Sequence, residues 1–192
     1  MDHDNYPDSY IRGILNTVKT IAMVGVSANT SRPSYFAFKY LFERGYRMIP
    51  INPGLAGREL LGRRVYGELA EVPEPIDMVD IFRASRHAPA IVEEALALSP
   101  RPQVIWMQLG IRNDAAAALA EQSGLKVVMN RCPKIEYGRL SSEIAWMGVN
   151  TRTLSSRKGS IGGIQRMTLD RTSAQGGTTA AADRVQREEA GR

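Results

Sequence analysis

The sequence predicts an α/β protein: a three-layer, doubly wound fold around a five-stranded, mainly parallel sheet. Three observations point there. Short apolar runs alternate with helix-like segments through most of the first 149 residues. The runs do not alternate polar with apolar, which suits strands buried on both faces. The segments between most of them are long enough for the crossover connections that join parallel strands in a right-handed sense.

The elements follow in order. Tyr10 to Val18 forms an amphipathic helix that packs on the sheet. Thr20 to Val26 (TIAMVGV) is the first strand, and a turn rich in Ser and Asn follows it. Pro33 to Arg44 is a helix with a face of Tyr35, Phe36, Phe38, Tyr40, Leu41 and Phe42, stopped by Gly45. Tyr46 to Ile51 is the second strand, ended by Asn52-Pro53-Gly54. Residues 55–75 are punctuated by Gly and Pro around a short apolar segment at Leu60–Leu61. Asp77 to Phe82 is the third strand. Ser85 to Ser99 is a helix with Ala88, Ile91, Val92, Ala95 and Leu98 near a 3.6-residue period, and Ser85 as its cap. Gln103 to Met107 is the fourth strand. Asn113 caps an Ala-rich helix that runs to Ser123. Leu125 to Met129 is the fifth strand, and Lys134 to Met147 closes the domain as a helix.

The chain divides by composition. Of 192 residues, 43% are hydrophobic and 23% charged, enough for one real core. The net charge is +5, but residues 150–192 hold 8 basic and 4 acidic side chains, so most of the excess lies there. That stretch is Gly, Ser and Thr with few large apolar groups, and it is expected to be a disordered basic tail after a 1–149 domain. Its residues 179–190 have some helical character, and its cluster of Arg152, Arg157 and Lys158 is expected to be solvated. The nearly neutral body gives no electrostatic case for nucleic acid. A single cysteine excludes an internal disulfide and a cysteine-rich zinc site. Met1 to Asp8 lacks a signal-peptide pattern, and no run approaches the roughly 20 apolar residues that span a bilayer. The expectation is a cytoplasmic protein.

In such a sheet the ligand sits at the carboxyl ends of the strands, near the switch point. The first turn, Gly25 to Ser34, occupies the phosphate-binding position. Gly25 admits close approach of a ligand to the backbone. The following helix start offers free N–H groups and partial positive charge. Ser27, Ser31 and Ser34 add hydroxyls, Arg32 adds a charged fork, and Pro33 suits the first helical position. The bland alternative is a capped turn with a solvated arginine. The turn is not G-x-G-x-x-G, and the place for a ribose-binding acid, at Ile49-Pro50-Ile51-Asn52-Pro53, holds none. Both absences argue against NAD and favour a ligand with an extra phosphate, or no nucleotide at all.

The other strand ends are Phe82-Arg83-Ala84-Ser85, Trp106-Met107-Gln108-Leu109-Gly110 and Asn130-Arg131-Cys132-Pro133-Lys134. Phe82 offers an apolar platform and Arg83 a charge, while Gln108 and Asn130 fit a sheet rim equally well. Cys132 has Arg131 and Lys134 nearby to lower its pKa, yet a lone cysteine is more often a small buried hydrophobe. His3, in a frayed terminus, and His87, at an exposed helix start, do not make a metal site with it. Glu93 and Glu94 read as helix surface, and Asp77 and Asp80 as parts of a strand.

Four runs then carry a resemblance: GVSANTSRPS, GYRMIPINPGLAGRELLGRRVYGELAEVPEPIDMVDIFR, VIWMQLGIRN and GLKVVMNRCPKIEYGRL. Together they resemble the stand-alone CoA-binding domain proteins of bacteria and archaea, which are similar to the N-terminal domain of the succinyl-CoA synthetase α subunit. The likeness spans about residues 13–147. It implies a Rossmann-like doubly wound sheet and a CoA or acyl-CoA ligand. It implies that Gly25, Val26 and Ser27, with Arg32, Pro33 and Ser34, cradle the pyrophosphate. Asn52 and Pro53 would lie beside the adenosine, Phe82 and Arg83 along the adenine or pantetheine path, and Gln108 and Gly110 on the route to the thiol. Where the synthetase loop has a lysine for the 3′-phosphate, this chain has Leu55, with Arg58 as the nearby substitute.

The resemblance implies a binding module more than an enzyme. No assembled nucleophile–base pair is expected, nor the phosphohistidine domain of a ligase. The leading expectation is a non-catalytic carrier or sensor. The alternatives are an NADP-linked oxidoreductase or acyl transferase in the same groove, and a subunit that completes an acyl-CoA ligase in trans. Tyr137 and Trp146 are candidates for a homodimer contact.

Overall fold

The computed structural model describes residues 1–141. The expected 150–192 tail, Trp146 and the end of the closing helix lie outside the described residues. The elements are α1 (Asp8–Thr17), β1 (Thr20–Val24), α2 (Pro33–Glu43), β2 (Arg47–Ile51), β3 (Glu59–Leu60), β4 (Arg63–Arg64), β5 (Met78–Ile81), α3 (Ala88–Ala97), β6 (Val104–Met107), α4 (Asp114–Gln122), β7 (Lys126–Val128) and α5 (Pro133–Leu140). Five strands form one sheet in the order β2-β1-β5-β6-β7, and every pairing in it is parallel. The five predicted strands are these five. The chain leaves β1 for β2 on one side, then returns to lay β5 on the other. The switch point therefore falls between β1 and β5.

Alternate residues along each strand serve two cores. Ala22, Val24, Ile49, Val79, Ile81 and Ile105 pack with Ile91, Val92 and Ala95 of α3 and Ala116 and Ala120 of α4. Ile21, Met23, Met48, Met78, Trp106 and Val128 pack with Ile11, Ile14 and Leu15 of α1 and Ala37, Phe38 and Leu41 of α2. Both faces of the strands are thus apolar, which accounts for the unbroken apolar runs in the sequence.

The Gly- and Pro-punctuated stretch holds a small antiparallel hairpin, β3–β4, that the sequence did not announce. Leu61 and Gly62 turn it, both at positive φ (50° and 72°), the geometry a two-residue hairpin turn requires. Just beyond it, Tyr66 covers the outer edge of β2: its carbonyl accepts from Asn52 N at 2.8 Å and its N–H donates to Pro50 O at 3.0 Å. Tyrosine hydroxyls cover the opposite edge. Tyr10 Oη accepts from Val127 N and donates to Val127 O, both at 3.2 Å, and Tyr6 Oη accepts from Met129 N at 2.7 Å. Neither edge is left as a bare template for pairing.

Several boundaries differ from expectation. β1 stops at Val24 because Gly25 turns to φ +92°. Ser85 does not cap α3; a short 3-10 turn, Ser85–His87, precedes the helix, and Ser85 Oγ instead accepts from Arg112 N at 3.2 Å. Asn113 does cap α4, accepting from Ala116 N at 2.9 Å. The N-terminus around His3 is not frayed: His3 Nδ1 lies 2.8 Å from Tyr6 Oη, and its Nε2 lies 3.5 Å from Glu121.

Candidate functional site

Three chain segments converge where the carboxyl ends of β1, β2 and β5 meet the switch point. Gly25 N donates to Ile51 O at 2.8 Å, tying the first turn to β2. Asn52 holds the same junction from the other side: Nδ2 donates to Val26 O at 2.7 Å, and Oδ1 accepts from Gly54 N at 2.9 Å. Phe82 N donates to Val24 O at 2.8 Å, bringing the end of β5 alongside. Gly25 is needed here because a Cβ would stand 2.8 Å from Arg83 Cδ and 3.0 Å from Phe82 O.

The first turn is internally braced. Ser27 N donates to Ser34 Oγ at 3.1 Å, and Asn29 N to Ser27 Oγ at 3.1 Å. Ser31 donates to Asn29 Oδ1 from both its N–H and its hydroxyl, at 2.9 and 2.7 Å. Val26 and Ser34 are buried, while Ser27 is partly covered and Arg32 and Pro33 are exposed. Arg32 is the N-cap residue of α2, with Pro33 first in the helix, and no side chain caps that end. The helix start therefore presents its partial positive charge at an exposed arginine.

A cavity of about 430 Å³ opens on the α3 side of this junction. Val24, Gly25, Ile51, Pro53 and Ile91 line it, with Arg83 and His87 and the three carboxylates Glu68, Glu71 and Glu94. Gly25, Pro53 and Arg83 were legible as site residues. Glu68, Glu71 and Glu94 were not, because the acids arrive from the turn after the hairpin and from α3, far in sequence from the first turn.

Not every predicted residue joins the cavity. Ser27, Arg32, Ser34 and Phe82 stand outside its lining, on the first turn and beside the α2 layer. Arg58 is exposed on the way into the hairpin, its N–H donating to Leu55 O at 3.0 Å, and it does not line the cavity either. Gln108 and Gly110 follow β6, one strand further along. Gly110 N donates to Asn130 Oδ1 at 2.8 Å, so Asn130 serves the rim.

Gln108 is buried, and its Nε2 donates to both oxygens of Asp80 at 3.1 Å. Asp80 is fully buried in β5, in register with Met23 and Trp106. Burial pushes its carboxyl up to about 8, against the opposing pull of the Gln108 bond. The sequence hid this pair because Asp80 sits inside an otherwise apolar strand. Burial also raises the pKa of the Cys132 thiol, against the opposing pull of the Ile135 and Lys134 backbone N–H groups and the Lys134 charge. The side chain is partly covered, and the raised pKa favours the thiol over the thiolate. Among the described residues no group of three or more His, Cys, Asp or Glu side chains could hold a metal ion. Nor is any described helix long and apolar enough to cross a membrane.

A family model described as a CoA binding domain matches residues 19–138. The chain belongs to the CoA-binding domain family. This domain is 35% identical over 127 residues to the uncharacterised protein YneT of Bacillus subtilis, a match that covers 66% of this chain and 91% of that one. It is also 32% identical over 80 residues to the α subunit of an ADP-forming acetate–CoA ligase of Pyrococcus furiosus. That match covers 40% of this chain and 17% of the subunit. A solved hypothetical protein of Pyrococcus horikoshii OT3 superposes with a TM-score of 0.67 at 36% identity, covering 72% of this chain and 94% of its own. The CoA-binding domain is thus a Rossmann-like α/β domain related to the α subunits of ADP-forming acyl-CoA synthetases.

Proposed function

We propose that the protein binds coenzyme A or an acyl-CoA across the carboxyl ends of β1, β2 and β5, as a carrier or sensor module. One observation carries the reading: in a chain of this family, the first turn, the uncapped start of α2 and Arg32 meet at the switch point, beside a cavity of about 430 Å³. In that reading Gly25, Val26 and Ser27, with Arg32, Pro33 and Ser34, surround the pyrophosphate; Gly25 N and Ser27 N already donate to Ile51 O and Ser34 Oγ and shape the turn, and the Arg32 guanidinium supplies the charged donor. Backbone N–H groups at a helix start and a guanidinium are the donors a diphosphate needs. Asn52 and Pro53 flank the adenosine, which enters the cavity against Ile51 and Ile91. Phe82 and Arg83 guide the chain across the switch point, and the pantetheine runs toward Gln108 and Gly110.

No residue in this arrangement is assigned a chemical step. Cys132 is partly covered, with its thiol pKa raised, and Asp80 is enclosed with Gln108.

Native mass spectrometry of gently purified protein tests the proposal. An adduct at the mass of CoA or an acyl-CoA is expected, its excess mass naming the acyl group. An adduct at the mass of NADP instead would overturn it.

A further inference from the structure

Dinucleotide folds hold the adenosine ribose with an acid at the end of the second strand. That position here is Asn52, and its amide is already committed to Val26 O and Gly54 N. Taken alone, the missing acid favours a ribose that carries an extra phosphate. The folded chain points the other way, because acids line the cavity that Ile51 and Pro53, the neighbours of Asn52, border. Glu68, Glu71 and Glu94 all line the cavity beside the ends of β1 and β2.

Two of these carboxylates are held in place by backbone. Gly67 N donates to Glu71 Oε2 at 2.7 Å, and Leu69 N donates to Glu94 Oε1. A carboxylate offers about four acceptor sites, so one backbone bond leaves it free to accept from ribose hydroxyls. The charged basic lining is Arg83, and His87 adds an imidazole. The stem of Arg83 lies under Gly25, toward the pyrophosphate turn. Three other arginines nearby do not line the cavity: Arg58 is exposed, and Arg63 and Arg64 lie over the rings of Phe42 and Tyr66, 5.3 and 5.6 Å from their centroids.

We propose that this cavity selects an adenosine whose ribose hydroxyls are free, so that the preferred ligands are adenosine-diphosphate thiols without a 3′-phosphate, the dephospho-CoA class. The inference rests on the reading that a CoA-type ligand occupies this junction. The physical reason is charge and hydrogen-bond sign. Acceptor-only carboxylates match hydroxyl donors and repel a phosphate, Glu68 and Glu71 from exposed positions on the rim and Glu94 from a partly covered one.

Calorimetry of the full chain with dephospho-CoA and with CoA, in the wild type and in a Glu68→Gln/Glu71→Gln variant, tests it. The amides keep acceptors for the backbone while removing charge, and a thermal melt confirms that the variant folds. Dephospho-CoA is expected to bind the wild type at least about threefold more tightly, and the variant is expected to lose that preference by gaining affinity for CoA. A smaller or inverted ratio in the wild type overturns the inference while leaving CoA-type binding intact. So does a ratio that the folded variant leaves unchanged. Failure of both ligands to bind overturns the underlying reading and the inference with it.

Discussion

Gly25 and Arg83 pack against each other across the switch point: a Cβ on Gly25 would fall 2.8 Å from Arg83 Cδ and 3.0 Å from Arg83 Cγ. The arginine stem thus lies over the bare backbone of the first turn. The same Cβ would press on Phe82 O, which cannot swing aside as a side chain can. Gly25 also sits at φ +92°, where an L side chain costs roughly 1–2 kcal/mol. Gly25→Ala is therefore expected to lower the thermal midpoint by roughly 3–6 °C and to weaken CoA binding. Melts with and without CoA would show it; an unchanged midpoint with unchanged affinity would mean that the crevice is looser than described.

Asn52 couples the end of β2 to the first turn through one donated and one accepted bond. Asn52→Ala removes both, leaving Val26 O and Gly54 N without these partners. The expected cost is about 1–3 kcal/mol of stability, with affinity for CoA falling on the order of tenfold. Urea unfolding and calorimetry on the same preparation separate the two effects. Affinity that survives the substitution would show that the turn holds its shape without this amide.

Asp80 gives the domain a distinct pH signature. Its carboxyl titrates at about 8 in the folded chain, against about 4 when unfolded. Between those values the folded chain holds a proton that the unfolded chain has released, so stability falls as pH rises. This contribution is complete below about pH 4 and is lost as pH rises through about 8. Asp80→Asn removes the titrating group but can still pair with Gln108. The variant should lose less stability than wild type between pH 5 and 8, by on the order of a few kcal/mol. Parallel denaturation profiles across that range would contradict a carboxyl whose burial outweighs its bond to Gln108.

The edge of β7 depends on two hydroxyls from a terminus distant in sequence. Tyr6 Oη receives the N–H of Met129, which is buried. Tyr6→Phe strands that N–H and is expected to cost about 1–3 kcal/mol, read as a lower urea midpoint at an unchanged slope. A midpoint equal to wild type would mean that water replaces the hydroxyl.

These relationships mark how far the sequence could be read. The strands were legible because two-sided burial makes them short, unbroken apolar runs. The first turn was legible because glycine, hydroxyls, an arginine and a helix-starting proline stand together. The hairpin was missed because a two-residue strand such as Glu59–Leu60 has no period to detect. The Ser85 cap was misplaced because Ser85 turns to Arg112 N, a partner 27 residues away. His3 looks frayed in the sequence because the groups that hold this terminus, Met129 N on Tyr6 and Glu121 beside His3, come from more than 100 residues away. Glu94 reads as helix surface, and Glu68 and Glu71 carry no signal, because only the fold gathers the three at one cavity.

Calorimetric titration of the full chain with CoA and dephospho-CoA, repeated on Arg32→Ala, tests the central claim most directly. The account predicts saturable binding to one site near micromolar, about −8 kcal/mol, weakened on the order of tenfold in Arg32→Ala. No saturable binding of either ligand below about millimolar would contradict it, and the junction of β1, β2 and β5 would then have to serve a different ligand.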